Sequence, residues 1–203
     1  MDTDIKQPIQ PRYSIGIATA ILTILLSYAY CFTGRSTTYI IANINIVVNL
    51  VTLFVLRKHL LRYEVPPVIT SIDWFLAINA VIFLSAMLEL LLKSSGNPEF
   101  KDTLEVMVFF DFLVYCTFLI IGIQLGVRLR RVADNTGLLK LLGNIFVALV
   151  PALFVFVSFF VHAGPLKGNV LLHVLSTTLA QAPLVVIVLI FYKAKKQVRS
   201  VLA

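Results

Sequence analysis

Asp111 is the residue whose type and position suit it best for chemistry. It lies well inside a long apolar stretch, between Phe110 and Phe112, with Tyr115 one turn further along the same helical face. A carboxylate in hydrocarbon is costly. Such residues face the interior of a helix bundle and mark ion, proton or substrate paths. Glu89, one turn after Ser85, lies near the end of the preceding stretch, and Lys93 at i+4 offers it a simple ion-pair partner.

Other polar residues repeat at helical spacing. Asn45, Asn49 and Thr52 share one face of the second stretch. His173, Ser176, Thr177, Ala180 and Gln181 fall at i, i+3, i+4, i+7 and i+8, one face of the sixth. His162 and His173 flank the short connection before it. Asn45, Asn49, Glu89, Asp111, His162 and His173 have compatible depths in the same half of a membrane, and with Tyr115 and Gln181 they form the candidate binding set. In that set Asp111 is the ionisable centre, with His and Asn side chains as ligands or proton partners for a proton, a cation or a small polar solute. Asp111→Asn is then expected to abolish activity. The same stripes can also serve as interhelical glue, because Ser, Thr, Asn and Gln bond readily between membrane helices.

Two histidines without a nearby carboxylate are too few for a metal site. The chain contains no GxSxG, HExxH or Walker A motif and no CxxC pair. No metal and no cofactor are expected, and nothing in the motifs indicates an enzyme. Asp73, which follows Thr70-Ser71, reads as a capping or first-turn acid, and His59 reads as a loop residue.

The elements that must carry these residues are six apolar stretches, at about 13–32, 38–57, 71–93, 104–127, 140–163 and 169–192, each near the roughly 20 residues that a bilayer requires. Gly34, Pro66-Pro67, Gly96-Asn97-Pro98, Gly137 and Gly164-Pro165 punctuate the connections. Pro151 and Pro183 fall inside stretches, where they predict kinks. Gly122-x-x-x-Gly126 and Gly16-x-x-x-Ala20 predict close helix packing.

Basic residues follow every second stretch: Arg57, Lys58 and Arg62, then Arg128, Arg130 and Arg131, then Lys193, Lys195, Lys196 and Arg199. Of the 17 basic residues only Arg35, Lys93, Lys101 and Lys167 fall on the other side. The positive-inside rule therefore places both termini in the cytoplasm. The expected fold is all-α, a polytopic membrane bundle of six transmembrane helices. It has a polar N-terminal tail at 1–12, the six-helix domain at 13–192 and a basic cytoplasmic tail at 193–203.

Composition agrees. Of 203 residues, 59% are hydrophobic and 13% charged, and mean hydropathy is +0.94. A soluble domain carries about 25% charged residues. The net charge of +7 sits in short loops beside the spans, where topology and anionic lipid headgroups account for it without nucleic acid. The expected location is a plasma membrane or bacterial inner membrane. The expected partners are membrane lipids, including anionic headgroups, with a protein partner or a second copy of the chain as further candidates. The leading functional expectation is a transporter or channel-like protein, or the substrate-binding membrane component of a larger transporter. A non-catalytic subunit or assembly factor and an integral-membrane lipid-modifying enzyme are the alternatives.

Overall fold

The computed structural model describes residues 12–32, 35–95, 101–156 and 170–202. Apart from short turns, these residues are helical, with no strand among them. The helices are α1 (Tyr13–Phe32), α2 (Arg35–Leu60), α3 (Pro66–Ser95), α4 (Lys101–Leu129), α5 (Leu138–Asn144), α6 (Val150–Phe156), α7 (Val170–Ala180) and α8 (Ala182–Leu202). A single 3-10 turn, Leu61–Tyr63, follows α2, and a π-helical turn, Ile145–Leu149, joins α5 to α6. Proline opens α3, where a missing N–H costs nothing.

Among the described residues, five segments are long and apolar enough to cross a membrane: Ile40–Tyr63, Pro66–Ser95, Val106–Leu129, Leu138–Phe156 and Val174–Val198. A shorter apolar helix covers Tyr13–Ala29. Large apolar side chains such as Leu84, Val106, Phe109 and Leu171 are exposed on the outside, whereas Thr23, Asn43, Thr52, Asn79, Ser85 and Ser176 are buried. This inside-out distribution suits hydrocarbon as solvent, where polar groups must find partners within the protein. The chain is a multi-pass membrane protein.

The helices close into a ring. Helix α1 packs on α2 and α8, α2 on α3, and α3 on α4. Helix α4 packs on α5 and the π turn, α5 on α8, and α7 on α1 and α6. Packing is tightest at the end where the basic segments meet. There the last turns of α2 (Leu53, Leu56, Leu60) and α4 (Leu125, Leu129) meet Val68 and Ile72 of α3, Leu139 and Leu142 of α5, and Ile187 and Phe191 of α8. Small residues permit this approach. A Cβ on Gly126 would stand 2.8 Å from the Gly143 carbonyl oxygen, and one on Gly143 would stand 2.5 Å from that of Gly126. On α1, a Cβ at Gly16 would meet the Phe191 ring at 2.5 Å, and Ala20 is fully buried.

Polar contacts tie the same end. Arg57 of α2 pairs with Asp73 of α3, and Arg128 of α4 donates to the Pro67 carbonyl and the Ser71 hydroxyl of α3. Asp73 thus holds an arginine from the neighbouring helix, instead of capping its own. His59 lies in α2 and is buried, because the helix runs past the expected end at 57 until the 3-10 turn stops it. Helix α8 likewise continues through the basic segment to Leu202. Helices exceed the hydrophobic windows because backbone hydrogen bonding does not stop at the apolar boundary.

Both interior prolines coincide with departures from α geometry. The π turn precedes Pro151, with the Val150 N–H reaching back to the Ile145 carbonyl. The break between α7 and α8 falls at Gln181, just before Pro183. In each case the proline lacks the N–H that a regular turn needs.

Candidate functional site

Above the tight end the helices part around a cavity of about 440 Å³. Each side of the ring contributes to it, and its two walls differ. The more polar wall carries Thr23 and Ser27 of α1, Asn45 and Asn49 of α2, Ser176 of α7, and Gln181 at the α7–α8 break, set among Ile46 and Leu53 of α2 and Leu184 and Ile187 of α8. The apolar wall, from α3, α4, the π turn and α6, includes Phe75, Phe118, Leu119, Phe146, Leu153 and Phe154. Phe75 packs its ring on Phe118 at 4.8 Å and on Phe146 at 5.4 Å between centroids, so these three rings form one aromatic cluster in that wall. Tyr115 also lines the cavity. Among the described residues no Asp, Glu, Lys or Arg lines it.

Local sequence explains the polar wall. Thr19, Thr23 and Ser27 recur every fourth residue, so they share a face of α1, and each hydroxyl donates to the carbonyl four residues earlier. That face meets α2. Thr52 donates to the Thr19 hydroxyl at 2.9 Å, and the Asn45 amide donates to the Ser27 hydroxyl at 3.0 Å. Further along, Tyr28 donates to the Thr178 hydroxyl of α7 at 2.9 Å. Asn45 Oδ1 is buried with no hydrogen-bond partner among the described residues, an arrangement that costs about 1–3 kcal/mol. The α1 stripe was legible at i, i+4 and i+8, although α1 contributed nothing to the sequence-derived set.

The eight expected site residues therefore separate. Asn45, Asn49, Tyr115 and Gln181 converge on the cavity. Asp111 and Glu89 are not among its lining residues. Asp111 accepts a hydrogen bond from Ser85 across the α3–α4 contact, and Glu89 pairs with Lys93 on its own helix. His162 lies outside the described residues. His173 falls on α7, where its helical backbone alone is described. No group of three or more His, Cys, Asp or Glu able to hold a metal occurs among the described residues.

A second, smaller recess of about 140 Å³ lies at the basic end. His59 and Tyr63 at the end of α2, Asp134 to Thr136 of the α4–α5 loop, and Ile190, Lys193, Ala194 and Gln197 of α8 surround it. His59 is only 6% exposed. Its Nδ1 meets the Tyr13 hydroxyl at 3.1 Å, and Tyr63 packs edge-on against its ring. Asp134 organises the loop: it accepts from the Thr136 N–H at 3.0 Å, the Thr136 hydroxyl at 2.7 Å and the Leu139 N–H at 3.1 Å. Burial works to raise the Asp134 pKa. The hydrogen bonds from the Thr136 hydroxyl and from the Leu139, Thr136 and Leu138 backbone outweigh it and hold the carboxyl below the usual carboxylate value. Gly137, at φ +68°, then turns the chain into α5. His59 and Tyr63 share a helical face at i and i+4, a signal hidden by reading His59 as a loop residue.

Comparison with family models, with characterised proteins and with solved structures finds no match, so the functional reading rests on fold and geometry.

Proposed function

We propose that this chain is a six-span membrane transporter, or the substrate-binding membrane component of a larger one, with both termini cytoplasmic, and that its central cavity takes a small neutral amphipathic solute. One observation carries the reading: a largely apolar cavity holds uncharged amides and hydroxyls from α1, α2, α7 and the α7–α8 break, together with phenylalanines of α3, α4, the π turn and α6. Its volume falls in the range of roughly 300–1,000 Å³ typical of small-molecule sites. A bare cation or proton relay would call for ionisable lining groups, and the described lining has none. Asn45 lines the cavity and its Oδ1 has no hydrogen-bond partner among the described residues, which favours a solute that carries an N–H or O–H donor. The π turn and the break at Gln181 border the cavity, and both are places where a membrane helix can bend during alternating access.

The test is gentle purification of the tagged chain from its native membrane, followed by native mass spectrometry. A small neutral molecule is expected to be retained by the wild type and lost from Asn49→Leu and Gln181→Leu. A stoichiometric protein partner with no retained small molecule, in wild type and variants alike, would overturn the reading in favour of a structural subunit. A retained molecule then becomes the substrate to test for uptake in liposomes.

A further inference from the structure

The recess at the basic end has no role in the proposed transport site, yet it is built from converging polar groups. We propose that it is a binding site for a phosphate–ammonium zwitterion of the ethanolamine phosphate type, presented by a phospholipid whose acyl chain lies along α8.

The charge arrangement selects the ligand class. Lys193 supplies an ammonium donor at the rim, and Asn135 and Gln197 supply amides. His59 is buried and lines the recess, and it supplies a donor there in the tautomer that accepts from Tyr13 at Nδ1. When the Tyr13 hydroxyl donates to Nδ1, the ring proton resides on Nε2. His59 lines the recess, and among the described residues its hydrogen bond is made at Nδ1, which leaves Nε2 for a ligand. These donors suit phosphate oxygens. Asp134 lies across the same small space, where its carboxylate repels a simple anion and attracts an ammonium. A simple cation meets Lys193 and the His59 N–H instead. A ligand that carries both charges satisfies both groups.

Position selects the source. The recess lies where the apolar segments Ile40–Tyr63 and Val174–Val198 reach their basic ends. Tyr63 and Tyr192 sit there as interfacial aromatics do. Val185, Leu189 and Lys193 fall at i, i+4 and i+8 on α8, one face. Val185 is 49% and Leu189 44% exposed, so an exposed apolar strip runs from the Lys193 rim into the hydrocarbon. A headgroup in the recess places its acyl chain on that strip.

The experiment is a native mass spectrometry titration of the purified full chain in neutral detergent with phosphatidylethanolamine, phosphatidylcholine and phosphatidylglycerol. Phosphatidylethanolamine is expected to bind one per chain and about tenfold more tightly than the other two, a difference of about 1.4 kcal/mol. Asp134→Asn, which removes the charge but keeps an acceptor for the loop, is expected to lose that preference, while Lys140→Ala, an exposed basic residue outside the recess, keeps it. Equal binding of the three lipids, tighter binding of phosphatidylglycerol, or equal loss in both variants would overturn the proposal. Glycerophosphoethanolamine, the soluble headgroup ester, is expected to compete only weakly. Binding as tight as that of the lipid would overturn the lipid as source.

Discussion

Ser85 of α3 donates its hydroxyl to the Asp111 carboxylate of α4, so that this acid is engaged in a contact between two neighbouring helices. The serine is buried and the acid half-buried. Asparagine at 111 keeps an acceptor for the serine, whereas alanine does not. Asp111→Asn is expected to melt close to wild type, and Asp111→Ala to lose about 1–2 kcal/mol. Neither is expected to change solute retention in the central cavity. Thermal unfolding in detergent together with native mass spectrometry checks both points. Lost retention in a well-folded Asp111→Asn protein would return this acid to the binding site.

Gly126 and Gly143 hold α4 and α5 at backbone contact. A methyl group at either position must push the helices apart, because the opposing atom is a carbonyl oxygen on the partner helix. Gly126→Ala and Gly143→Ala are each expected to destabilise the bundle by about 1–3 kcal/mol. Gly137→Ala, where nothing lies near the added carbon, is strained instead by its positive φ, and is expected to cost about 1 kcal/mol. Unfolding midpoints of the three variants in one detergent separate the two mechanisms. Thermal stability unchanged in Gly126→Ala would show that the helices yield there.

Val150 lines the cavity from α6. Phenylalanine at this position adds volume to open space instead of to packed core, so Val150→Phe is expected to fold with stability within about 1 kcal/mol of wild type. It is also expected to reduce solute retention at least about tenfold. Retention at the wild-type level would mean that the solute does not occupy this part of the cavity.

Asp134 has a folded-state pKa held below its usual value by its loop hydrogen bonds. A carboxyl with a depressed folded pKa stabilises the fold fully above its unfolded pKa, near 3.8. That contribution is lost as pH falls through the lower folded value. Wild-type melting temperature is therefore expected to lose this contribution below about pH 4, when the carboxylate starts to take up protons. Asp134→Ala is expected to cost about 1 kcal/mol at neutral pH and to flatten that acid limb. Melting curves from pH 7 to pH 3 for both proteins measure the difference, and parallel curves would show that Asp134 does not couple folding to protonation.

Much of the architecture was legible in the chain. Runs of apolar residues announce the helices, and the ends erred because helical hydrogen bonding continues into polar sequence, as at His59 and Lys193. Pro151 and Pro183 each marked a departure from α geometry, since a missing N–H acts wherever it falls. The Glu89–Lys93 pair followed from spacing on one helix. Arg57–Asp73 and Ser85–Asp111 did not, because each joins two helices whose relative rotation no local spacing specifies.

By itself, then, the sequence determined helical class, apolar spans and the clustering of basic charge, because hydropathy and charge are properties of contiguous segments. Only the tertiary structure decided which polar side chains meet. Close packing, such as Gly126 against Gly143, sets the rotation of each helix about its own axis. That rotation turns Asn45, Asn49, Tyr115 and Gln181 toward one cavity and Asp111 toward Ser85.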